Sequence, residues 1–433
     1  MKEGINKSDR YAEVKALRQK YSGIPMEAIL KQDVLRLGVR FSEDSCRIAS
    51  EYKPKDYFIF SFDLATLDEL KDEGNHFLRA PEEIRFFGGP DELKPTIFSV
   101  RLNPNSPYAV EVVDGKLMFC CQEFPFAETE FHPLPAYYSE KLSGGQTISE
   151  IAPVLEWGYL IYLTVFRLCQ YWGKDEECQY CDINENYRQQ KKAGREYTGV
   201  KRPQDILEAL RIIAERDTQS KAVTITGGSI NRNLSGKNEV DFYLEYVQAI
   251  HAQFGDHWII KAVVEAYLKK DCKRLAEGGV KIYHPNYEIW DEKLFKQICP
   301  GKERFVGYNE WMKRIVASAD VFGPQHVIPN FVAGVEMAQP YGYTDLHEAV
   351  ESTRQGLEFF MSKSIMPRFT TWCREPLAHL KNQSPPPLEY YVKLLRVWRD
   401  TFEKYQLPAP PGYGAPGVGK AVFSVSAFMD VIR

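Results

Sequence analysis

Three cysteines stand close together in the run CQYWGKDEECQYC: Cys169, Cys178 and Cys181, in the spacing C-x8-C-x2-C. Thiolates are soft ligands, and a loop that gathers three of them suits an iron–sulfur cluster or a zinc ion. A structural zinc site takes four protein ligands, yet after Cys181 neither Cys nor His recurs until His251. Three ligands are what a cluster needs when one iron must stay open to a cofactor or substrate. A zinc-stapled loop on a barrel-like binding protein without redox chemistry is the alternative.

Three thiols converge only if a frame holds the loop, and from residue 156 onward strand and helix signals alternate. Candidate strands fall at 159–167, 222–226, 258–265, 280–284, 327–334 and 365–371, each short and mostly apolar, as strands buried on both faces should be. Between them lie amphipathic helices. In 203–216, Ile206, Leu207, Leu210 and Ile213 share one face, and a later helix opens at Thr344 as N-cap with Asp345 in its first turn. Such alternation implies a parallel sheet with right-handed crossovers. The fold expected for 151–405 is an α/β, partial (β/α)6-type parallel barrel. Its chemistry belongs at the carboxyl ends of the strands, and the cysteine loop follows the first of them.

Residues 1–150 read as a small mixed α+β domain, with short helices at 13–21 and 26–37 and strands at 96–102, 108–113 and 116–121. Asp114-Gly115 joins the last two as a hairpin turn. Residues 406–433 are rich in Pro and Gly and read as a tail packed on the barrel. At 433 residues, with 44% hydrophobic and 13% aromatic residues, the chain has material for one large core or two moderate ones. A net charge of -4 gives no basic field for nucleic acid, so a small-molecule substrate is expected. The longest apolar run, 158–166, falls short of the roughly 20 residues that cross a bilayer, and MKEGINKSDR has no secretory pattern. A reducing, cytoplasmic setting is therefore expected, in which nine cysteines point to metal or catalysis rather than disulfides.

The loop and strands together resemble the radical S-adenosylmethionine (SAM) superfamily, in which three cysteines after the first strand hold three irons of a 4Fe-4S cluster and the methionyl group chelates the fourth. The commonest spacing there is C-x3-C-x2-C, so the long first interval is a departure that lengthens the loop without removing a ligand. Tyr180 occupies the position of the aromatic residue that packs near adenine. Gly227, Gly228 and Ser229, in TITGGSI, stand where the family carries a Gly-Gly-Glu-like motif, which implies a backbone seat for the methionyl amine. Glu265 ends the third strand as a further candidate for that amine or for substrate. Asn286 and Glu288, in HPNYEIW, resemble the ribose-binding pair of the biotin-synthase-like branch. Gly334 and Glu336 resemble the end of the adenine wall, and Thr370 and Thr371 the backbone contacts to adenine. Lys302, Arg304 and Arg314 are candidates for the methionyl carboxylate. Taken singly, these positions could equally be turns, core strands or solvated charges; their order along the strands gives them weight.

The resemblance implies reductive cleavage of SAM to a 5′-deoxyadenosyl radical that abstracts hydrogen from a small molecule, with an electron donor such as flavodoxin or ferredoxin. A macromolecular substrate is the alternative. GAPGVGKA, from Gly414, mimics a phosphate-binding loop but has Ala421 where a hydroxyl would hold magnesium, and a proline-rich run precedes it in place of a strand. Cys46, Cys120, Cys121, Cys272, Cys299 and Cys373 form no second close-spaced triad, so one cluster is expected. Arg188, Lys191, Lys192 and Arg195 read as a solvated basic face.

Overall fold

The computed structural model describes residues 10–48, 51–195, 197–415, 417 and 427–432. Six parallel strands follow one another in chain order: β1 (Leu160–Phe166), β2 (Ala222–Gly227), β3 (Ile259–Val264), β4 (Ile282–Pro285), β5 (Asn330–Ala333) and β6 (Arg368–Thr371). β1 to β4 form a continuous ladder and β5 pairs with β6. Two parallel bridges, Tyr283 to Val327 and Glu288 to Phe331, join the halves. The outer edge of β1 carries the short antiparallel strand Val154–Leu155 rather than β6, so the barrel is open, as the strand–helix alternation predicts. β5 and β6 begin later than the apolar runs suggest, just after Pro329 and Pro367. A proline has no N–H to extend a ladder backward.

Helix Pro203–Arg216 has the bounds expected from its apolar spacing. The helix expected to be capped by Thr344 starts one residue later, as Leu346–Met361. The Asp345 carboxylate takes the cap, accepting from the N–H groups of His347 and Glu348 at 2.6 and 3.1 Å. A carboxylate reaches two free amides at a helix start and also opposes the macrodipole, so it outcompetes the neighbouring hydroxyl.

Ahead of the barrel, a six-stranded sheet runs in the order Arg40–Phe41, Tyr108–Val113, Lys116–Cys121, Phe124–Phe131, Glu83–Gly88, Leu93–Ser99. Asp114 and Gly115 both have positive φ, 50° and 76°, as the two-residue hairpin requires. Helix Met26–Leu37, buried almost all round, packs between this sheet and the barrel. Its Gln32 carbonyl accepts from the Thr371 hydroxyl at 2.6 Å, and Arg101 donates to the carbonyls of both Leu35 and Thr371. One apolar core thus runs from the first sheet to the helices behind β4, β5 and β6, while a second lies under the helices that cover β1 to β3.

Described residues of the tail pack at the amino end of the barrel. Tyr413 is buried there, with the Lys261 ammonium 3.9 Å from its ring centre and its hydroxyl 3.3 Å from His284 Nε2. A final turn, Phe428–Val431, is also buried, and Asp430 meets Lys31 of the Met26–Leu37 helix at 3.4 Å with both side chains fully inaccessible. Residues 416 and 418–421 of the phosphate-loop mimic lie outside the described residues. No described helix is long and apolar enough to cross a membrane. Because Asp430→Ala strands the Lys31 charge in the core, it should cost on the order of 3–5 kcal/mol, and adding Lys31→Met should restore most of that; denaturant unfolding of the single and double variants measures both.

Candidate functional site

A cavity of about 360 Å³ opens among the carboxyl ends of the strands, within the roughly 300–1,000 Å³ of small-molecule sites. The loop after β1 forms one wall. Its first cysteine is fixed by Asn184, whose side-chain oxygen accepts from the Cys169 N–H at 2.9 Å while its amide donates to Tyr171 O and Glu177 Oε1 at 3.3 and 2.9 Å. The long interval after Cys169 is a folded excursion pinned to the barrel. The Gly301 N–H donates to Glu176 O, the Gln179 N–H donates to Ile298 O, and Glu177 Oε2 lies 2.9 Å from His379 Nε2.

All three cysteines line the cavity, half-buried. Among the described residues no three His, Cys, Asp or Glu side chains close on a single-ion site; the thiols share a wall instead. Burial pushes the Cys169 thiol up to about 12 and raises that of Cys181 well above the usual range, an environment in which a bound metal would be what keeps them as thiolates. Cys299, set aside in the sequence, is buried with its thiol against that of Cys178.

Tyr180, Gly227, Gly228, Ser229 and Glu265 line the same cavity, as do Asn286, Glu288 and Thr370. Glu265 accepts from the Tyr171 hydroxyl at 2.6 Å, and Thr370 Oγ1 donates to Asn330 Oδ1 at 3.3 Å. The backbone carbonyl of Asn286 accepts from the Trp311 indole at 2.9 Å, whereas its Oδ1 is buried with no hydrogen-bond partner. A buried acceptor without a donor costs about 1–3 kcal/mol. Glu288 lies 2.5 Å from the ammonium of Lys302. Burial opposes the charge on Lys302, but Glu288 together with Cys178, Cys299 and Glu265 outweighs it and holds the ammonium above the usual lysine range. Of the three cations weighed from the sequence, Lys302 lines the cavity, while Arg304 pairs with Glu176 and Arg314 with Glu310 outside it.

Two expectations change. Gly334 lies off the cavity: it has φ of 101°, donates to Glu336 and the Tyr390 hydroxyl, and a Cβ there would meet the Tyr391 hydroxyl at 2.5 Å. Helix packing requires this glycine. At Gly227 and Gly228 the close approach is real, but the neighbour is protein. A Cβ on Gly228 would sit 1.9 Å from Leu168 O and 2.6 Å from Cys169 Cα, and one on Gly227 would lie 2.6 Å from Phe166 O.

Sequence reasoning missed Glu239, Arg368 and Glu156, which also face the cavity, and the segment Phe58 to Phe62, whose Phe58, Ile59, Phe60 and Phe62 line it from the amino-terminal half. Glu239 accepts from Tyr267 and from the Ile230 N–H, and burial together with the neighbouring Glu265 raises its carboxyl well above the ordinary range. Only the apolar run YFIFSF signalled the segment, without a period that fixes a face.

The open barrel of six parallel strands, with three thiols on the loop after the first, is the arrangement that the resemblance in the sequence leads one to expect. No protein-family profile matches the chain. A bacteriochlorophyllide c C-7(1)-hydroxylase of Chlorobaculum limnaeum is 27% identical over 130 residues, a match that spans 30% of this chain and 28% of that protein. Among solved structures, methylornithine synthase overlaps 57% of this chain and 63% of its own, at 15% identity and a TM-score of 0.43. The FeFe-hydrogenase maturase HydG of Carboxydothermus hydrogenoformans overlaps 58% of this chain and 54% of its own, at 13% identity and a TM-score of 0.40.

Because Gly228 abuts Leu168 and Cys169, Gly228→Val should displace the first cysteine. Anaerobically reconstituted Gly228→Val protein should keep less than about half the iron of the parent.

Proposed function

We propose that the chain is a radical SAM enzyme, in which Cys169, Cys178 and Cys181 hold a 4Fe-4S cluster and SAM occupies the cavity beside it. The reading is carried by one observation: three thiols from one loop share a cavity wall with the unsatisfied Asn286 oxygen, at the carboxyl ends of six parallel strands. When bound, the cluster supplies one-electron reductive cleavage of SAM, giving methionine and a 5′-deoxyadenosyl radical.

The chain's own residues bind, orient and exclude water. Asn286 Oδ1 accepts from a ribose hydroxyl, and the Glu288 carboxylate, steadied by Lys302, stands beside it. Lys302 is also the cation placed to meet the methionyl carboxylate. Glu265 and Glu239 offer acceptors to the methionyl amine, Tyr180 packs toward the adenine, and Thr370 and Ser229 border the nucleotide. Phe58, Ile59, Phe60 and Phe62 keep the wall dry, which protects a reactive intermediate from side reactions. The substrate is a small molecule reacting at a carbon–hydrogen bond, in keeping with the hydroxylase match, and reduction comes from a flavodoxin- or ferredoxin-like donor in the cytoplasm.

Cys178→Ala should lose the brown colour and SAM cleavage together, read by iron analysis and 5′-deoxyadenosine yield under dithionite; full iron with normal cleavage would refute the assignment. Asn286→Ala should keep its iron while binding SAM about fivefold or more weakly, as expected for one hydrogen bond of at least ~1 kcal/mol, measured by calorimetry on the reconstituted protein.

A further inference from the structure

Below the thiols the cavity continues to a floor that SAM chemistry does not use. Glu156 and Arg368, each only 4% exposed, both line it. Glu156 Oε2 is buried with no hydrogen-bond partner. The backbone that presents it is strained: Glu156 and Trp157 are consecutive non-glycine residues with φ of 56°, in the left-handed region. The Glu83 carboxylate clamps this conformation, accepting from both backbone N–H groups at 2.7 and 3.0 Å. Strain fixed by its surroundings, aiming an unsatisfied polar atom into a cavity, is a mark of a binding site. Behind the floor stands Lys261, buried and attracted to Glu156.

The surrounding wall is aromatic and apolar. Phe58 packs edge-on against Tyr162 at 4.8 Å, and Leu155 joins the same cluster. Phe60 and Phe62, in edge-on contact at 5.2 Å, extend it. Phe62 is itself held at a φ of 48° by its N–H bond to Glu375, at 3.0 Å, next to Ser61, whose hydroxyl donates to Asp182 at 2.6 Å. The aromatic segment is therefore anchored as firmly as the floor.

We propose that this deep end is the substrate subsite and takes an aromatic carboxylate, its carboxylate on Arg368 and Glu156 and its ring against Phe58, Phe60, Phe62 and Tyr162. Arg368 supplies the charge-assisted donors, and an ammonium head would instead meet the buried Arg368 guanidinium. Burial, only partly opposed by Lys261, raises the Glu156 carboxyl well above the ordinary range, the direction that favours donation to the same carboxylate.

The inference rests on the radical SAM reading, since the two share one cavity. The test uses full-length reconstituted protein with SAM bound, and titrates 2-naphthylacetate against 2-naphthylethylamine by ligand-observed NMR. The acetate should bind at least tenfold more tightly than the amine. Arg368→Gln should abolish that preference, Phe58→Ala should weaken the acetate severalfold, and Glu156→Gln, which keeps a donor in place, should stay within about threefold of the parent. If Arg368→Gln melts early, Arg368→Met replaces it and should lose the same preference. Equal binding of the amine, no binding of the acetate, or unchanged preference in a folded Arg368→Gln or Arg368→Met protein would overturn the subsite. Iron content and SAM affinity, measured on the same samples, report separately on the cluster reading.

Discussion

The contact on which the site depends is the one between Gly228 and the backbone of Leu168 and Cys169. The end of β2 and the start of the cysteine loop approach so closely that not even a methyl group fits between them. This fixes the first cysteine relative to the sheet without any side-chain interaction, and the Asn184 amide then fixes it relative to the helix Ile183–Lys192 that opens just after the third. The first cysteine is thus fixed against both the sheet and the helix that follows the loop, while the Gly301 to Glu176 and Gln179 to Ile298 bonds pin the long interval, so that three thiols still meet one cavity.

The amino-terminal half is part of this arrangement. Its sheet shares a core with the helices behind β4, β5 and β6, and Arg101 and Gln32 both bond to Thr371 at the carboxyl end of β6. From that shared core the Phe58 to Phe62 segment reaches the cavity wall. An excursion with two left-handed aromatic residues, Tyr57 and Phe62, is costly in isolation. Bonds from Tyr197 to Tyr57 O and from Asn186 to Ile59 O offset that cost, and the same two donors tie the segment to the region just past the third cysteine.

The barrel was legible in the sequence because strands buried on both faces must be apolar and short, and because Pro203–Arg216 repeats its apolar residues at helical spacing. The three thiols stand out in the sequence by their spacing, and the fold brings them to one cavity wall. Gly334 was misread because a glycine after a strand looks the same whether a ligand or a tyrosine approaches it. The reason for Gly228 was misread in the same way: the sequence says that something comes close, and only the fold says what. Glu156, Glu239 and Arg368 were missed because their burial depends on neighbours far along the chain, and a lone charged residue carries no sign that it faces inward. The Phe58 to Phe62 run has no alternation to show which side faces the core.

Tyr413 packs at the amino end of the barrel beside Lys261 and His284, and Gly412 before it is fitted so closely that a side chain would touch Ile282. Gly412 also has a φ of 74°, in the left-handed region. Two separate demands, on space and on backbone angle, thus fall on one residue, so that nothing larger could seat the neighbouring tyrosine under β3 and β4.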